Sequence, residues 1–210
     1  MIMTAISKFP AQRFAKFASH LMRYACYFAI LFYVLCLLLS VMGRQTFALR
    51  TDTGYFENAI FAETNHNPPT RSMTVHMESD SIYVHSVDST IDPMVQVSLS
   101  LMYAVNVIPL IFAYVFLSKV FANVAKGDIF TDKNAAYLLY YGILQLFVAL
   151  FVPFIKILIC QVNNWISADT ISIGTGSNMI VDLFPSIAFM VAAYIVHYGI
   201  TLQDEVDHTL

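Results

Sequence analysis

The sequence predicts an all-α integral membrane protein with four transmembrane helices and a small extracytoplasmic loop that contains a β-hairpin. The chain has 210 residues, of which 58% are hydrophobic and only 12% are charged. An average soluble domain has about 25% charged residues, and a chain this short cannot make up the difference with a larger core. The mean hydropathy of +0.66 agrees with a membrane protein.

Two long apolar runs give the clearest evidence for membrane crossing. Residues 95–117 and 134–155 contain no Asp, Glu, Lys, Arg or His. As a helix, each run would be about 33 Å long, and the hydrocarbon core of a bilayer is roughly 30 Å thick. The polar stretch 126–134 lies between them and reads Lys-Gly-Asp-Ile-Phe-Thr-Asp-Lys-Asn. We interpret this stretch, called the hinge below, as the turn of a membrane hairpin.

The other segments follow from charge and hydropathy in the same way. Residues 1–23 contain basic residues and no acid, which suits either a basic helix on an anionic leaflet or a solvated tail. Residues 24–42 are longer than the apolar region of a signal peptide and no cleavage site follows them, so we expect a retained helix. The predicted segments are an N-terminal segment (1–23), TM1 (24–42), an extracytoplasmic loop (43–94), TM2 (95–117), a cytoplasmic loop (118–134), TM3 (135–159), an extracytoplasmic loop (160–178), TM4 (179–200) and a cytoplasmic tail (201–210).

The loop 43–94 has one stretch with the pattern of β-strands. Residues 73–87 alternate polar and apolar side chains on both sides of Ser79-Asp80, which predicts two strands joined by a tight turn. The loop is too short to bury a substantial core of its own. The second loop, 160–178, is predicted to be short and polar, with Trp165 and no Lys or Arg.

Lysine and arginine in the short loops predict the orientation. Residues 1–23 hold four of the eleven basic residues and loop 118–134 holds three, whereas residues 161–178 hold none. Because basic loops stay in the cytoplasm, we expect both termini and the hinge on the cytoplasmic side of a bacterial inner membrane.

Four polar or charged residues inside the predicted spans are candidates for contacts between helices. Asn106 and Gln145 are near the midplane of the second and third spans, and we expect a hydrogen bond between them that holds the two helices together. The alternative is a polar notch on a transport path. Lys156 and Asp182 fall towards the outer boundary, where they would form an ion pair or reach the interface separately.

The hinge carries signals for the end of one helix and the start of the next. Gly127 suits the left-handed residue that follows a helix C-terminus. Thr131 is placed to cap the third span by accepting a hydrogen bond from the amide of residue 133 or 134. Ile129 and Phe130 would pack back on that helix as a hydrophobic staple.

The hinge, together with Leu138 and Tyr141-Gly142 after it, resembles a motif of the bacterial domain of unknown function 2975 family. The tail 202–210, Leu-Gln-Asp-Glu-Val-Asp-His-Thr-Leu, is similar to that family's ending, usually Leu-Gln/Arg-Glu-Glu-Asn/Gln-Asp-Leu-Thr-Val/Ile. It departs from that ending mainly at Val206 and His208. The resemblance implies a four-helix inner-membrane protein with no established activity. Members are often encoded beside small helix-turn-helix regulators, which implies a membrane protein that holds or informs a transcription factor.

The two motifs predict one cytoplasmic patch that binds such a partner, with two solvated helix ends as the alternative. Acidic residues of the tail would approach lysines of the hinge in exposed pairs worth about 0–1 kcal/mol. The residues of the predicted patch are Lys126, Gly127, Phe130, Thr131, Lys133 and Asn134 of the hinge and Gln203, Glu205 and Asp207 of the tail.

We therefore expect a non-enzymatic regulatory or scaffold protein that acts on a cytoplasmic partner such as a helix-turn-helix regulator. The alternative is a small transporter or channel subunit, as a homo-oligomer, with Asn106 and Gln145 on its path. The sequence has no H-E-x-x-H, G-x-S-x-G or P-loop motif, so we expect no catalytic residues, metal ligands or cofactor. The net charge of −3 gives no basic excess for direct nucleic-acid binding.

Overall fold

The computed structural model describes residues 11–43, 48–51, 54–55, 71–77, 80–86, 92–175 and 179–209. Within these residues the chain is mostly helical, and four helices are long and apolar enough to cross a membrane, as the sequence predicts. The elements in chain order are α1 (Ala11–Val41), β1 (Ala48–Thr51), β2 (Gly54–Tyr55), β3 (Arg71–Met77), β4 (Asp80–Ser86), α2 (Pro93–Lys126), α3 (Asp132–Ile166), β5 (Thr170–Thr175) and α4 (Met179–Thr209).

The helices extend beyond the apolar runs that predict them. Helix α1 begins at Ala11, so the described part of the basic N-terminal segment is helical and continuous with the first span. Helix α2 continues to Lys126 and α3 begins at Asp132. The two helices are therefore joined by residues 127–131, which lie within the predicted loop 118–134. No Gly or Pro lies between Pro109 and Gly127, so nothing in that stretch ends the helix earlier.

The start of α2 is set by an Asp-Pro pair. Asp92 Oδ1 accepts a hydrogen bond from the Met94 amide at 2.9 Å, and the Asp92 carbonyl accepts one from the Val95 amide at 2.9 Å. Pro93 occupies the first helical position, where its missing N–H is not needed. Asp92 is thus the N-cap of α2.

Five strands form one antiparallel sheet in the order β2-β1-β3-β4-β5. Strands β3 and β4 occupy the stretch 73–87 that predicts strands, and Met77 lies opposite Asp80; the residues that join them, 78–79, lie outside the described residues. Strands β1 and β2 extend the sheet beyond β3, and β5 pairs with β4 on the other side. Strand β5 lies in the loop 160–178, and its sequence Thr-Ile-Ser-Ile-Gly-Thr alternates polar and apolar residues, as strands often do.

The chain divides into two compact units, and the helices contribute to both. The first unit comprises Met1–Leu31, Leu110–Leu146 and Phe184–Leu210, and the second comprises Phe32–Pro109 and Phe147–Leu183. In the first unit, the Tyr141 ring packs edge-on against the Phe189 ring, with centroids 4.4 Å apart. The buried core around it consists of Cys26, Ala113, Leu117, Val120, Leu138, Tyr141 and Ala193.

Gly142 allows α3 and α4 to approach closely in the first unit. A Cβ atom at this position would lie 2.7 Å from Met190 Cγ, 3.0 Å from the Ser186 carbonyl oxygen and 3.2 Å from the Met190 amide nitrogen. Two of these three atoms belong to the backbone of α4, so the helix itself would have to move. Small residues at such contacts are a common means of packing membrane helices.

Gly142→Ala is therefore expected to destabilise the first unit by about 1 kcal/mol. Overpacking costs about 1–3 kcal/mol, from which the gain of roughly 0.5–1 kcal/mol for replacing a helical Gly by Ala is subtracted. Unfolding in detergent micelles by increasing sodium dodecyl sulfate, followed by circular dichroism, measures the change. Ile143→Ala, at the adjacent and 44% exposed position, is the control. A Gly142→Ala protein as stable as wild type would contradict the close contact.

Candidate functional site

The hinge begins with a double hydrogen-bond motif at the end of α2. Gly127 has a φ of +100°, in the left-handed region that favours glycine. Its amide donates to the Val124 carbonyl at 3.0 Å, and the Asp128 amide donates to the Asn123 carbonyl at 3.1 Å. This pair of bonds is a Schellman motif and satisfies two carbonyls at the helix end. The role predicted for Gly127 is confirmed.

The hinge ends with a cap on α3. The Asn134 amide donates to Thr131 Oγ1 at 3.3 Å, which confirms the predicted N-cap. The Thr131 carbonyl also accepts hydrogen bonds from the amides of Asn134 and Ala135, at 2.9 and 3.1 Å. Asp132 follows as the first residue of α3, where the helix dipole favours a negative charge.

The side chain of Asn134 holds the two ends of the hinge together. It is only 1% exposed. Its amide nitrogen donates to the carbonyls of Asp128 and Ile129 at 2.6 and 2.9 Å, and its amide oxygen accepts from Asn123 Nδ2 at 2.7 Å. The sequence places Asn134 in the partner-binding patch, but the structure shows it in the interior, as a support for the hinge backbone.

The two apolar residues of the hinge are exposed, and Phe130 contacts α4. Ile129 is 45% exposed and Phe130 is 49% exposed. A Cβ atom at Gly199 would lie 2.5 Å from Phe130 Cδ1 and 2.6 Å from Cε1, so the ring covers this glycine. This contact brings the hinge beside α4 a few residues before Gln203, and the hydrophobic staple on α3 stays a prediction.

The charged members of the predicted patch lie on the surface of the first unit. Lys126 and Lys133 are exposed, as are Gln203 and Glu205 near the end of α4. Asp207 is in the same helix, but its side chain lies outside the described residues. Pairing between the hinge lysines and the acids of α4 stays a prediction.

The second unit contains a buried ion pair that the sequence does not reveal. Lys156 Nζ in α3 lies 2.8 Å from Asp80 Oδ2 at the start of β4, and the two side chains are 5% and 10% exposed. A pair of Lys156 with Asp182 is one of the two arrangements that the sequence leaves open, and it stays a prediction. An Asp at a predicted turn is an ordinary turn signal, so nothing local marked Asp80 as a buried partner.

Gln96 joins α2 to the end of α1 in a second polar cluster. Its Nε2 donates to the Ser40 carbonyl and to Ser100 Oγ, each at 3.0 Å, and Ser40 Oγ donates to Ser100 Oγ at 3.0 Å. Among the described residues, Gln96 Oε1 and Asp80 Oδ1 are buried without a hydrogen-bond partner. Apart from Gln96 Oε1, the side chains of Gln96, Ser40 and Ser100 bond to one another or to the Ser40 carbonyl.

Asn106 and Gln145, the predicted intramembrane pair, lie in different surroundings. Asn106 is 3% exposed. Gln145 Nε2 donates to the hydroxyl of Tyr141, one turn earlier on α3, at 3.2 Å. The hydrogen bond between Asn106 and Gln145 stays a prediction.

A third polar cluster joins the start of α2 to the segment between α3 and β5. Ser167 Oγ donates to Asp92 Oδ2 at 2.7 Å, and the Asp92 amide donates to Asp169 Oδ2 at 2.7 Å. Asn163 Nδ2 donates to the Asp169 carbonyl at 3.1 Å. The Met94 amide and the Ser167 hydroxyl both stabilise the carboxylate form of Asp92, and together they lower its pKa below the usual value.

The lowered pKa predicts an acid-dependent loss of stability. A carboxylate with a pKa lower in the folded than in the unfolded chain stabilises the fold above the unfolded pKa, about 3.9 for Asp. That contribution is lost as the pH falls through the folded pKa. Asp92→Asn should therefore lower the unfolding midpoint at pH 6–7, and the difference from wild type should shrink below about pH 4. A difference that does not change between pH 7 and pH 3 would contradict this.

The function is not assigned by likeness to known proteins. The resemblance to the domain of unknown function 2975 family rests on the hinge and tail motifs and stays a prediction. No family model matches this chain, and no curated protein or solved structure matches it.

Proposed function

We propose that this chain is a multi-pass protein of the bacterial inner membrane with both termini and the hinge in the cytoplasm. In this proposal it is a non-enzymatic regulatory or scaffold protein that holds a cytoplasmic partner at the hinge. The partner class implied by the family resemblance is a helix-turn-helix transcription regulator. The observation that carries the proposal is an exposed apolar pair on a turn that is fixed by hydrogen bonds.

Ile129 and Phe130 are exposed although the backbone beneath them is well fixed. Asn134 binds the carbonyls of Asp128 and Ile129, so the turn is ordered before any partner arrives. An ordered surface loses less conformational entropy on binding than a disordered one. A cavity of about 390 Å³ at the same turn is lined by polar residues that include Asp128, Thr131 and Lys133. These features suit a protein partner.

Basic and aromatic side chains support the proposed orientation. Lys119 Nζ lies over the rings of Phe116 and Tyr137, 5.4 and 5.2 Å from their centroids. Arg23 lies over the Tyr27 ring at 5.4 Å and donates to its hydroxyl at 3.0 Å. Cationic side chains with aromatic rings are typical of the membrane–water interface, and basic residues favour its cytoplasmic side.

Site-specific photo-crosslinking in native membranes tests the proposed partner. A photoreactive phenylalanine analogue at Ile129 is expected to capture one soluble DNA-binding protein. The same analogue at Trp165, which is 88% exposed at the other end of α3, is the control and should not capture it. Deleting residues 203–210 is expected to release the partner. The same products from both positions, or none from Ile129, would contradict the proposal.

The polar clusters of the second unit favour this proposal over transport. Gln96 bonds to Ser40 and Ser100, and Ser98 Oγ donates to Asn163 Oδ1 at 2.9 Å, so these groups hold elements together. Solute flux in reconstituted vesicles that is abolished by Asn106→Leu would instead support a transporter or channel subunit.

A further inference from the structure

The first unit contains a groove between α3 and α4 that the proposed partner site does not use. Its volume is about 380 Å³, within the range of small-molecule sites. Helix α3 lines it at the positions i, i+3, i+4 and i+7 counted from Asp132, and α4 lines it at the same spacing from Met190. Each helix therefore presents one continuous face to the groove.

The groove exists because its middle is lined by small side chains. Ala135 and Ala193 are 8% and 5% exposed and form its floor together with Ala136. Tyr194 stands at the rim and is 69% exposed. Larger residues at the alanine positions would fill this space.

The groove is polar at one end and apolar at the other. At one end, His197 Nδ1 lies 3.6 Å from Asp132 Oδ1, and the two side chains are 66% and 81% exposed. At the other end it is lined by Leu139 and Met190. The distance from Asp132 to Leu139 along α3 is about 10 Å at 1.5 Å per residue. This gradient matches an amphiphile with a polar head and an apolar chain.

We propose that this groove binds a phospholipid with a primary ammonium headgroup, such as phosphatidylethanolamine. An acyl chain lies over the alanines and points towards Leu139 and Met190. The ammonium group pairs with the Asp132 carboxylate, and the His197 imidazole is placed to donate to the phosphodiester. The inference rests on the proposed function only for the membrane location of the two helices, and not on the cytoplasmic partner.

The dimensions favour a lipid chain over a helix from a second copy. A water molecule takes up roughly 30 Å³ of liquid, so the groove has room for roughly a dozen groups of that size, enough for a segment of one chain. A helix with its side chains is about 10–12 Å across and would rest on the rim beside Tyr194. A lipid with an ammonium head also matches the Asp132 carboxylate at the polar end of the groove.

Native mass spectrometry of the full chain, released from vesicles of equal parts phosphatidylethanolamine and phosphatidylglycerol, tests the site. We expect one phosphatidylethanolamine retained per chain, in preference to phosphatidylglycerol. Ala136→Phe should remove the bound lipid by filling the groove. Ala188→Phe, at an exposed position of α4 outside the groove, is the matched control and should keep it. Asp132→Asn, at an exposed position that does not threaten folding, should keep a bound lipid but lose the headgroup preference.

Three results would overturn the lipid site. The first is that the wild-type protein, like Asp132→Asn, retains phosphatidylethanolamine and phosphatidylglycerol equally. The second is lipid retention unaffected by Ala136→Phe. The third is a dimer mass without lipid that Ala136→Phe converts to a monomer, which would assign the groove to a second copy. Sedimentation with the vesicles after an alkaline wash tests the membrane location separately, so a failure of the proposed function is distinguished from a failure of the site.

Discussion

Replacing Lys156 by methionine is expected to destabilise the second unit by about 3–5 kcal/mol, the usual cost of breaking a buried ion pair on one side. The change removes the cation that pairs with the Asp80 carboxylate, and that carboxylate is only 10% exposed. Asp80 Oδ1 has no other partner among the described residues, so the stranded charge has little local compensation. The unfolding midpoint in detergent micelles, followed by circular dichroism, measures the loss.

The double variant Lys156→Met/Asp80→Leu tests whether the lost stability comes from the unpaired Asp80 charge. Replacing both charges by apolar groups of similar size is often neutral or stabilising, so most of the lost stability should return. Lys16→Met, at an exposed lysine of α1, is the control and should have little effect. A double variant as unstable as Lys156→Met would contradict the pairing of Lys156 with Asp80.

Replacing Asn134 by leucine is expected to lower the free energy of opening the hinge by about 1–3 kcal/mol. The reason is that leucine leaves hydrogen-bonding groups without partners. The groups affected are the carbonyls of Asp128 and Ile129 and the side chain of Asn123. At 1.4 kcal/mol for each factor of ten, amide hydrogen exchange in residues 127–131 should become roughly 5 to 150 times faster. Hydrogen exchange with mass spectrometry of the hinge peptide measures this change.

The neighbouring exposed residue provides the control for this prediction. Lys133→Leu introduces the same side chain at a position that faces solvent, so exchange in the hinge should stay near the wild-type rate. Capture of a partner by the analogue at Ile129 should weaken in Asn134→Leu, because the binding surface would no longer be ordered. Unchanged exchange in Asn134→Leu would show that the hinge backbone does not depend on this side chain.

The local features of the helices could be predicted because their signals lie within a few residues of one another. Gly127 suits the left-handed residue after a helix because it has no Cβ atom, and the Thr131 hydroxyl caps the start of the next helix. The apolar runs likewise predict four long helices from composition alone. The apolar run alone gives α2 too short, because the helix continues to Lys126 through a less apolar stretch that contains the helix formers Ala and Lys.

The contacts between distant segments could not be predicted from the sequence. Asp80 and Lys156 are 76 residues apart, and pairing them requires knowing that β4 lies beside α3. Strand β5 has a clear alternating pattern, but its place beside β4 depends on the whole sheet. Asn134 looked like a surface residue because polar side chains after a cap usually are exposed, and only the fold shows its three side-chain hydrogen bonds.

In the proposed topology, four helices cross the membrane with the hinge in the cytoplasm and the loop 160–178 outside it. Cysteine labelling in intact cells tests it most directly, after the buried native cysteines Cys26, Cys36 and Cys160 are replaced by alanine. A membrane-impermeant maleimide should label the Trp165→Cys protein in intact cells, and the Ile129→Cys protein only after the inner membrane is opened. Labelling of Ile129→Cys in intact cells, with Trp165→Cys protected, would contradict the proposed orientation and the partner site that depends on it.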